Sequence, residues 1–91
     1  MIKNYKCKHT HMICKGLRFN GKNQVEMDEF IGVKGKVDDK NGVNVYRALI
    51  SARKNSKIEV IEGDYILSSS INGYFVIKCA NFNACFRRIM N

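Results

Sequence analysis

The stretch YILSSSINGYFVI, residues 65–77, places an Asn-Gly pair between two runs of residues that favour strands. Asn-Gly is the strongest short-range signal for a tight hairpin, because both turn positions need a positive φ angle. We therefore predict an antiparallel hairpin, with one strand over 65–69 and the next after Gly73. This hairpin decides the fold class, since the rest of the chain must supply the sheet to which it belongs.

The segments before this hairpin have the pattern of strands separated by polar turns. Residues 5–19 are predicted to form one long or broken strand, which ends at Asn20-Gly21. A second strand is predicted over 43–52, and a short one includes Ile58 and Val60. The polar stretch GKVDDKNG, residues 35–42, is predicted to be a hairpin turn or an exposed loop.

Two segments have the periodicity of helices. Asn23 and Glu26 resemble a capping box, and Gly32 suits a C-cap, so a short helix is predicted between them. In the tail, an apolar stripe at helical spacing predicts a second helix that begins after Asn81; its members are Phe82, Cys85, Phe86, Ile89 and Met90.

These elements predict an α+β fold in a single domain over residues 1–91. The expected architecture is a small antiparallel sheet of about four to five strands. A short helix follows the first strand, and the C-terminal helix packs on the sheet.

The formal net charge is +8, and the charges are unevenly distributed. Residues 1–25 and 65–91 contain no acidic residue, and all eight acids lie between Glu26 and Asp64. If the two ends of the chain meet in the fold, they form a positive face that attracts nucleic acid, nucleotides or an acidic protein. The alternative is that the excess of lysine serves solubility alone.

The chain lacks the features of a membrane or secreted protein. It has no apolar run of about eighteen residues, and its first fifteen residues lack the apolar core of a signal peptide. We therefore expect a protein of the cytoplasm of the cell that makes it, without membrane contact, whose four cysteines are thiols.

The segment KCKHTHMIC, residues 6–14, combines four side chains that zinc prefers: Cys7, His9, His11 and Cys14. On an extended strand the first three share one face at about 7 Å per step, while Cys14 points to the other face. Such a row rarely converges on one ion, and the spacing lacks a separated ligand pair. We favour a strand with inward thiols and outward histidines, and keep a zinc-stabilised structural module as an alternative.

Catalysis is not predicted. Any of the four thiols could meet either histidine, so no nucleophile–base pair is singled out. The stretch GKVDDKNG also lacks the Gly-Lys-hydroxyl ending of a phosphate-binding loop.

Basic, aromatic and hydroxyl side chains on the predicted strands suggest a ligand site. Arginines pair with phosphates, aromatic rings stack on bases, and serine hydroxyls bond ribose or phosphate. The candidate ligand-binding residues are Arg47, Arg53, Tyr65, Ser69, Ser70 and Arg87. The alternative is that the strand aromatics fill the core and the serines face water.

Four short motifs occur in the order found in a family of small bacteriophage proteins, which the chain resembles. They are Phe19-Asn20-Gly21, the acidic stretch VEMDEFIG at 25–32, Gly63-Asp64-Tyr65-Ile66 and Gly73-Tyr74-Phe75. The segment Cys7 to His11 departs from that pattern, and the loop between Ser68 and Gly73 is one residue longer. The resemblance implies an accessory protein that acts on host defences by binding, in the host-cell cytoplasm.

The resulting hypothesis is a non-catalytic counter-defence protein that sequesters an anionic nucleotide immune messenger. A chain of this size would need a homo-oligomer to enclose such a ligand. The alternative is an inhibitor that binds a CRISPR-type nuclease, another host defence protein, or the nucleic acid of such an enzyme.

Overall fold

The computed structural model describes residues 2–51, 56–70 and 73–89. These residues form eight strands and two short helices, in the order β1 (Lys3–Cys7), β2 (Ile13–Arg18), α1 (Gln24–Ile31), β3 (Lys36–Lys40), β4 (Val43–Ser51), β5 (Ser56–Ile61), β6 (Tyr65–Ser69), β7 (Gly73–Ile77), α2 (Cys79–Cys85) and β8 (Phe86–Arg88). Strands and helices coexist, as an α+β chain requires. The layout differs from the prediction, because the strands form two sheets instead of one sheet of four to five strands.

The larger sheet has five strands in the order β7-β6-β2-β1-β8, and each neighbouring pair is antiparallel. The predicted hairpin is confirmed, because β6 pairs with β7. Its turn differs from the predicted Asn72-Gly73 pair, since Gly73 lies opposite Ser69 as the first residue of β7. Gly73 has a φ angle of 68°, the left-handed conformation that favours glycine at a tight turn. Asn72 lies outside the described residues.

The prediction of one long strand over 5–19 is wrong, because this segment is a hairpin. β1 and β2 pair with each other around a turn in which Lys8, His9 and Thr10 are exposed. The backbone N–H of Cys7 donates to the carbonyl of Met12 at 2.8 Å and closes the loop. His11 has a φ angle of 62°, which no extended strand tolerates, so the chain reverses here.

The smaller sheet has the order β3-β4-β5 and contains a strand that the sequence did not predict. β3 occupies most of the stretch that was expected to be a turn or loop, and only the Asn41-Gly42 pair forms the turn itself. Both turn residues have positive φ angles, 56° and 81°, as a tight hairpin requires. β3 was missed because it is a charged edge strand in which only the side chain of Val37 is partly buried.

Helix α1 lies where it was predicted, but it begins differently. Gly32 adopts the left-handed conformation, with a φ angle of 82°, and ends the helix as expected. The proposed capping box is absent, because the Asn23 side chain makes no capping hydrogen bond. Its amide group instead accepts from the Asn20 N–H and donates to the Arg18 carbonyl, each at 2.9 Å.

The C-terminal helix begins and ends earlier than predicted, so Asn81 lies inside it and is not its N-cap. Met90 lies outside the described residues. Helix α2 begins at Cys79 and ends at Cys85, and the next three residues form strand β8. Phe86 already has extended backbone angles, with φ −132° and ψ 150°. This segment pairs with the edge of β1. The pairing supplies hydrogen-bond partners for backbone N–H and C=O groups, which at a helix end would otherwise bind only water.

Two apolar cores lie on opposite faces of the five-stranded sheet. One lies under α2 and is centred on Tyr5, Cys14, Leu67, Phe82 and Phe86. The other joins this sheet to α1 and the smaller sheet, through residues such as Leu17, Met27, Tyr46, Val60 and Ile66. The second layer packs on β6, β7 and the end of β2 at Leu17. On the same face, Ile13 and Lys15 of β2 and Arg87 of β8 stay exposed.

Candidate functional site

The two sheets differ in charge. The strands of the five-stranded sheet come from residues 3–18 and 65–88, and neither segment contains an Asp or Glu. All eight acidic residues lie between positions 26 and 64, in α1, the smaller sheet and the turn that follows it. The positive ends of the chain therefore meet, because β1 pairs with β8 in the fold.

Three cations come together on the open side of this sheet. Lys6 lies directly opposite Arg87 on β8 and directly opposite Ile13 on β2. Lys15 is two residues beyond Ile13 and therefore points to the same face. Directly opposed side chains have Cβ atoms about 5 Å apart and diagonal ones about 7 Å. We call Lys6, Ile13, Lys15 and Arg87 the basic patch.

No acidic side chain of the described residues neutralises the basic patch. The ion pairs of the described chain lie elsewhere: Arg47 pairs with Asp38 and Glu59, each at 3.0 Å, and Lys78 lies 3.3 Å from Asp64. Like charges directly across a sheet destabilise it. The Lys6–Arg87 pair is therefore unfavourable for folding alone.

The surface around the basic patch is shallow and partly apolar. A depression of about 360 Å³ is lined by Lys6, Ile13, Arg87, Arg88 and Ile89. Ile13 is 62% exposed, which is unusual for so large an apolar side chain on a sheet. No aromatic residue lines this depression, so the surface offers charge and apolar area but no ring on which a base could stack.

A second polar site opens at the start of β1 and the end of β2. It is a cavity of about 270 Å³, which we call the polar cavity, lined by Lys3, Tyr5, Arg18, Asn20, Asn23, Glu26 and Tyr65. The Arg18 guanidinium is held above it, because Nε donates to the Gly63 carbonyl at 3.0 Å. The guanidinium carbon also lies over the Tyr65 ring, 5.8 Å from its centroid.

Tyr5 is the most buried side chain of the polar cavity, with 7% of its surface exposed. Burial raises the pKa of its phenol, nearby Tyr65 raises this pKa further, and Arg88 partly opposes the shift. Gly16 makes room for the ring, since a Cβ atom there would lie 2.8 Å from two of its carbons. The Tyr5 ring is thus fixed by packing, edge-on to Phe82 at 4.8 Å between centroids.

The residues predicted to bind a nucleotide do not form one site. Arg47 lies on the outer face of the smaller sheet, in a groove of about 420 Å³, and is occupied by its two carboxylates. Ser69 is buried, Ser70 is exposed at the end of β6, and Arg87 belongs to the basic patch. Arg53 lies outside the described residues.

Tyr65 does line the polar cavity, but its ring already has partners. The Phe82 ring stacks on it with centroids 3.7 Å apart and an interplanar angle of 8°, and Arg18 lies over it. A base would have to displace one of these partners in order to stack on the ring.

The four proposed zinc ligands lie around the β1–β2 turn. His9 and His11 are exposed in the turn, Cys14 is buried, and Cys7 is half-buried. No group of three metal-binding side chains is gathered anywhere in residues 2–51, 56–70 and 73–89. Hydrogen bonding, led by the Thr10 hydroxyl, lowers the pKa of the Cys7 thiol, whereas burial raises that of Cys14. The zinc alternative stays a hypothesis.

No protein-family model, no curated protein and no solved structure matches this chain. Neither helix in the described part of the chain has the length and apolar character needed to cross a membrane. The function must therefore be argued from the two sites themselves.

One feature of the sequence, the absence of acidic residues from both ends of the chain, predicted part of these sites. The acid-free ends of the chain indicated a positive face on the condition that they meet, and the pairing of β1 with β8 fulfils this condition. Lys6 and Lys15 could not be named from the sequence, because their common face depends on a hairpin that was predicted as one strand.

Proposed function

We propose that this protein is a non-catalytic binding protein that holds the phosphate backbone of nucleic acid on its basic patch. The observation that carries the proposal is the direct opposition of Lys6 and Arg87, with Lys15 on the same face and no acid in the sheet. Such an arrangement costs folding stability, and a bound phosphate chain would remove the cost by supplying the missing negative charge.

The same surface explains why we propose contact with the phosphate backbone of the nucleic acid and no recognition of its bases. Lysine and arginine contact phosphates irrespective of sequence, whereas reading or stacking bases needs groove-filling elements or exposed rings. The depression around the basic patch offers neither, and its exposed apolar side chain is Ile13. We expect similar affinity for unrelated sequences.

The resemblance to small bacteriophage proteins suggests a biological role for this binding. In a counter-defence role, the protein would compete with a CRISPR-type nuclease for its guide or target strand. This proposal has more support than sequestration of a nucleotide messenger in a homo-oligomer, because the residues expected to hold such a messenger lie on separate surfaces.

The test is the salt dependence of binding to a short fluorescent DNA duplex, measured by anisotropy. Three phosphate contacts predict a slope of about −2.7 in a plot of log K against log salt, a loss of roughly 40-fold between 50 and 200 mM. Lys6→Gln and Arg87→Gln should each reduce this slope by about 0.9.

Lys40→Gln is the matched control, since it removes the same charge from an exposed position on β3, in the other sheet. We expect it to leave the slope unchanged. Binding that ignores salt, or that weakens equally in Lys40→Gln, would contradict the proposal.

A further inference from the structure

Two uncharged polar side chains border the basic patch on the same face of the five-stranded sheet. Asn4 on β1 lies directly opposite Lys15 on β2, and Lys15 lies directly opposite Ser68 on β6. Directly opposed residues point to the same face, so Asn4 and Ser68 flank Lys15, each at one strand spacing of about 4.8 Å. We call Asn4, Lys15 and Ser68 the polar row.

The Asn4 amide and the Ser68 hydroxyl are available to a ligand. Both residues are partly exposed, and neither side chain makes a hydrogen bond with another described residue. Every buried side-chain nitrogen or oxygen atom of the described residues has a partner, so these two groups reach solvent. Each can donate and accept hydrogen bonds. The polar row therefore places two groups that suit hydroxyls beside cations that suit phosphates.

RNA has a hydroxyl group beside its phosphates that DNA lacks. The ribose 2′-hydroxyl donates and accepts hydrogen bonds, and proteins distinguish RNA from DNA by it. In an A-form duplex these hydroxyls line a wide, shallow minor groove, which a shallow sheet surface can approach. The minor groove of B-form DNA is only about 6 Å wide and does not admit a sheet face.

Single-stranded RNA suits this surface less well than a duplex does. Proteins bind single strands largely by stacking their bases on exposed aromatic rings. No ring lines the depression at the basic patch, whose exposed apolar side chain is Ile13. The surface therefore favours a nucleic acid whose bases are already paired and stacked.

We infer that the nucleic acid on the basic patch is duplex RNA, held across its minor groove, with Lys15 on a phosphate and Asn4 and Ser68 on neighbouring 2′-hydroxyls. The inference rests on the proposed function, because the polar row meets 2′-hydroxyls only if the basic patch holds the phosphate backbone. Duplex DNA keeps the phosphate contacts and lacks the hydroxyl contacts. It should therefore bind with a similar salt slope and lower affinity.

The probes are four fluorescent nucleic acids of one sequence, titrated with the full chain and followed by anisotropy. Three are duplexes, made of RNA, of DNA and of 2′-fluoro RNA, which keeps the A-form helix but has no 2′-hydroxyl. The fourth is single-stranded RNA. Duplex RNA should bind at least fivefold more tightly than each of the others, since about fivefold corresponds to one hydrogen bond.

Variants of the polar row test the two hydroxyl contacts. Asn4→Ala and Ser68→Ala should each weaken the binding of duplex RNA about fivefold and leave the affinity and salt slope for duplex DNA unchanged. Unchanged DNA binding also shows that each variant is folded with its basic patch intact. Asn83→Ala is the matched control, because it removes an exposed amide from α2 on the other face of the sheet. It should change neither affinity.

The outcomes distinguish a failure of this inference from a failure of the proposed function. If duplex RNA and duplex DNA bind equally well with the predicted salt slope, the inference is overturned and the proposed function stands. If neither binds, or if salt has no effect, both fail. The inference is also overturned if single-stranded or 2′-fluoro RNA binds as tightly as duplex RNA, or if Asn83→Ala weakens binding as much as Asn4→Ala.

Discussion

At the residue scale, the carboxylate of Asp28 joins three parts of the chain. Its Oδ1 atom accepts the Gly35 N–H at 2.8 Å and the Tyr46 hydroxyl at 2.7 Å. Helix α1 is thereby tied to the loop that precedes β3 and to the centre of β4. Burial is the main cause that raises the pKa of the Tyr46 phenol, and its hydrogen bond to Asp28 adds to the shift.

Replacing Tyr46 with Phe should lower the free energy of unfolding by about 1.5–3 kcal/mol, the range for a hydrogen bond to a charged group. Since the folded pKa is raised, the stabilisation is complete below about pH 10, where the unfolded phenol is protonated. It should decline as the pH rises further, so the difference between wild type and variant should shrink in alkaline urea titrations.

Tyr74→Phe is the control for this prediction, because the Tyr74 hydroxyl donates to the neutral Phe30 carbonyl at 3.0 Å. It should cost only about 0.5–1.5 kcal/mol. Equal losses in the two variants would show that the charge of Asp28 contributes nothing.

At the element scale, the pairing of β8 with β1 determines where helix α2 ends. The apolar spacing of Phe82, Cys85 and Phe86 fits a helix, and the helix does include the first two. The outcome for Phe86 depends on β1, a strand far away in the sequence, whose free edge offers backbone partners. Local periodicity cannot contain this information, so the sequence could not predict where the helix ends.

Pairing of β8 with β1 also creates the Lys6–Arg87 opposition, which can be tested through stability. Arg87→Glu replaces two like charges by an opposite pair and should raise the free energy of unfolding by about 0.2–1 kcal/mol, while it abolishes nucleic-acid binding. Urea denaturation measures the first effect and anisotropy the second.

The neighbouring variant Arg88→Glu separates pairing from net charge. Arg88 lies opposite Tyr5 instead of a lysine, so the same change of charge should give a smaller gain in stability. If both variants gain equally, the lower net charge is the cause and the cross-strand repulsion is not.

At the scale of the whole molecule, charge follows architecture. The five-stranded sheet contains no acid. Six of the eight acids lie in α1 and the smaller sheet, and Glu62 and Asp64 lie in the turn before β6. This division was visible in the sequence as two acid-free ends. The basic patch that results from it could not be predicted, because it depends on the pairing of β1 with β8. The hairpin at 65–77, helix α1 and strand β4 were predictable because their signals are local; the two-sheet arrangement and both sites arise from contacts between distant segments.

The most direct test of the central claim is a ¹H–¹⁵N correlation spectrum of the protein titrated with a short DNA duplex. We predict that amide shifts concentrate at Lys6, Ile13, Lys15 and Arg87, fade as salt is added, and leave β3–β5 unaffected. Shifts that concentrate at Arg47 and Lys57, on the outer face of the smaller sheet, or a spectrum that does not change, would contradict it.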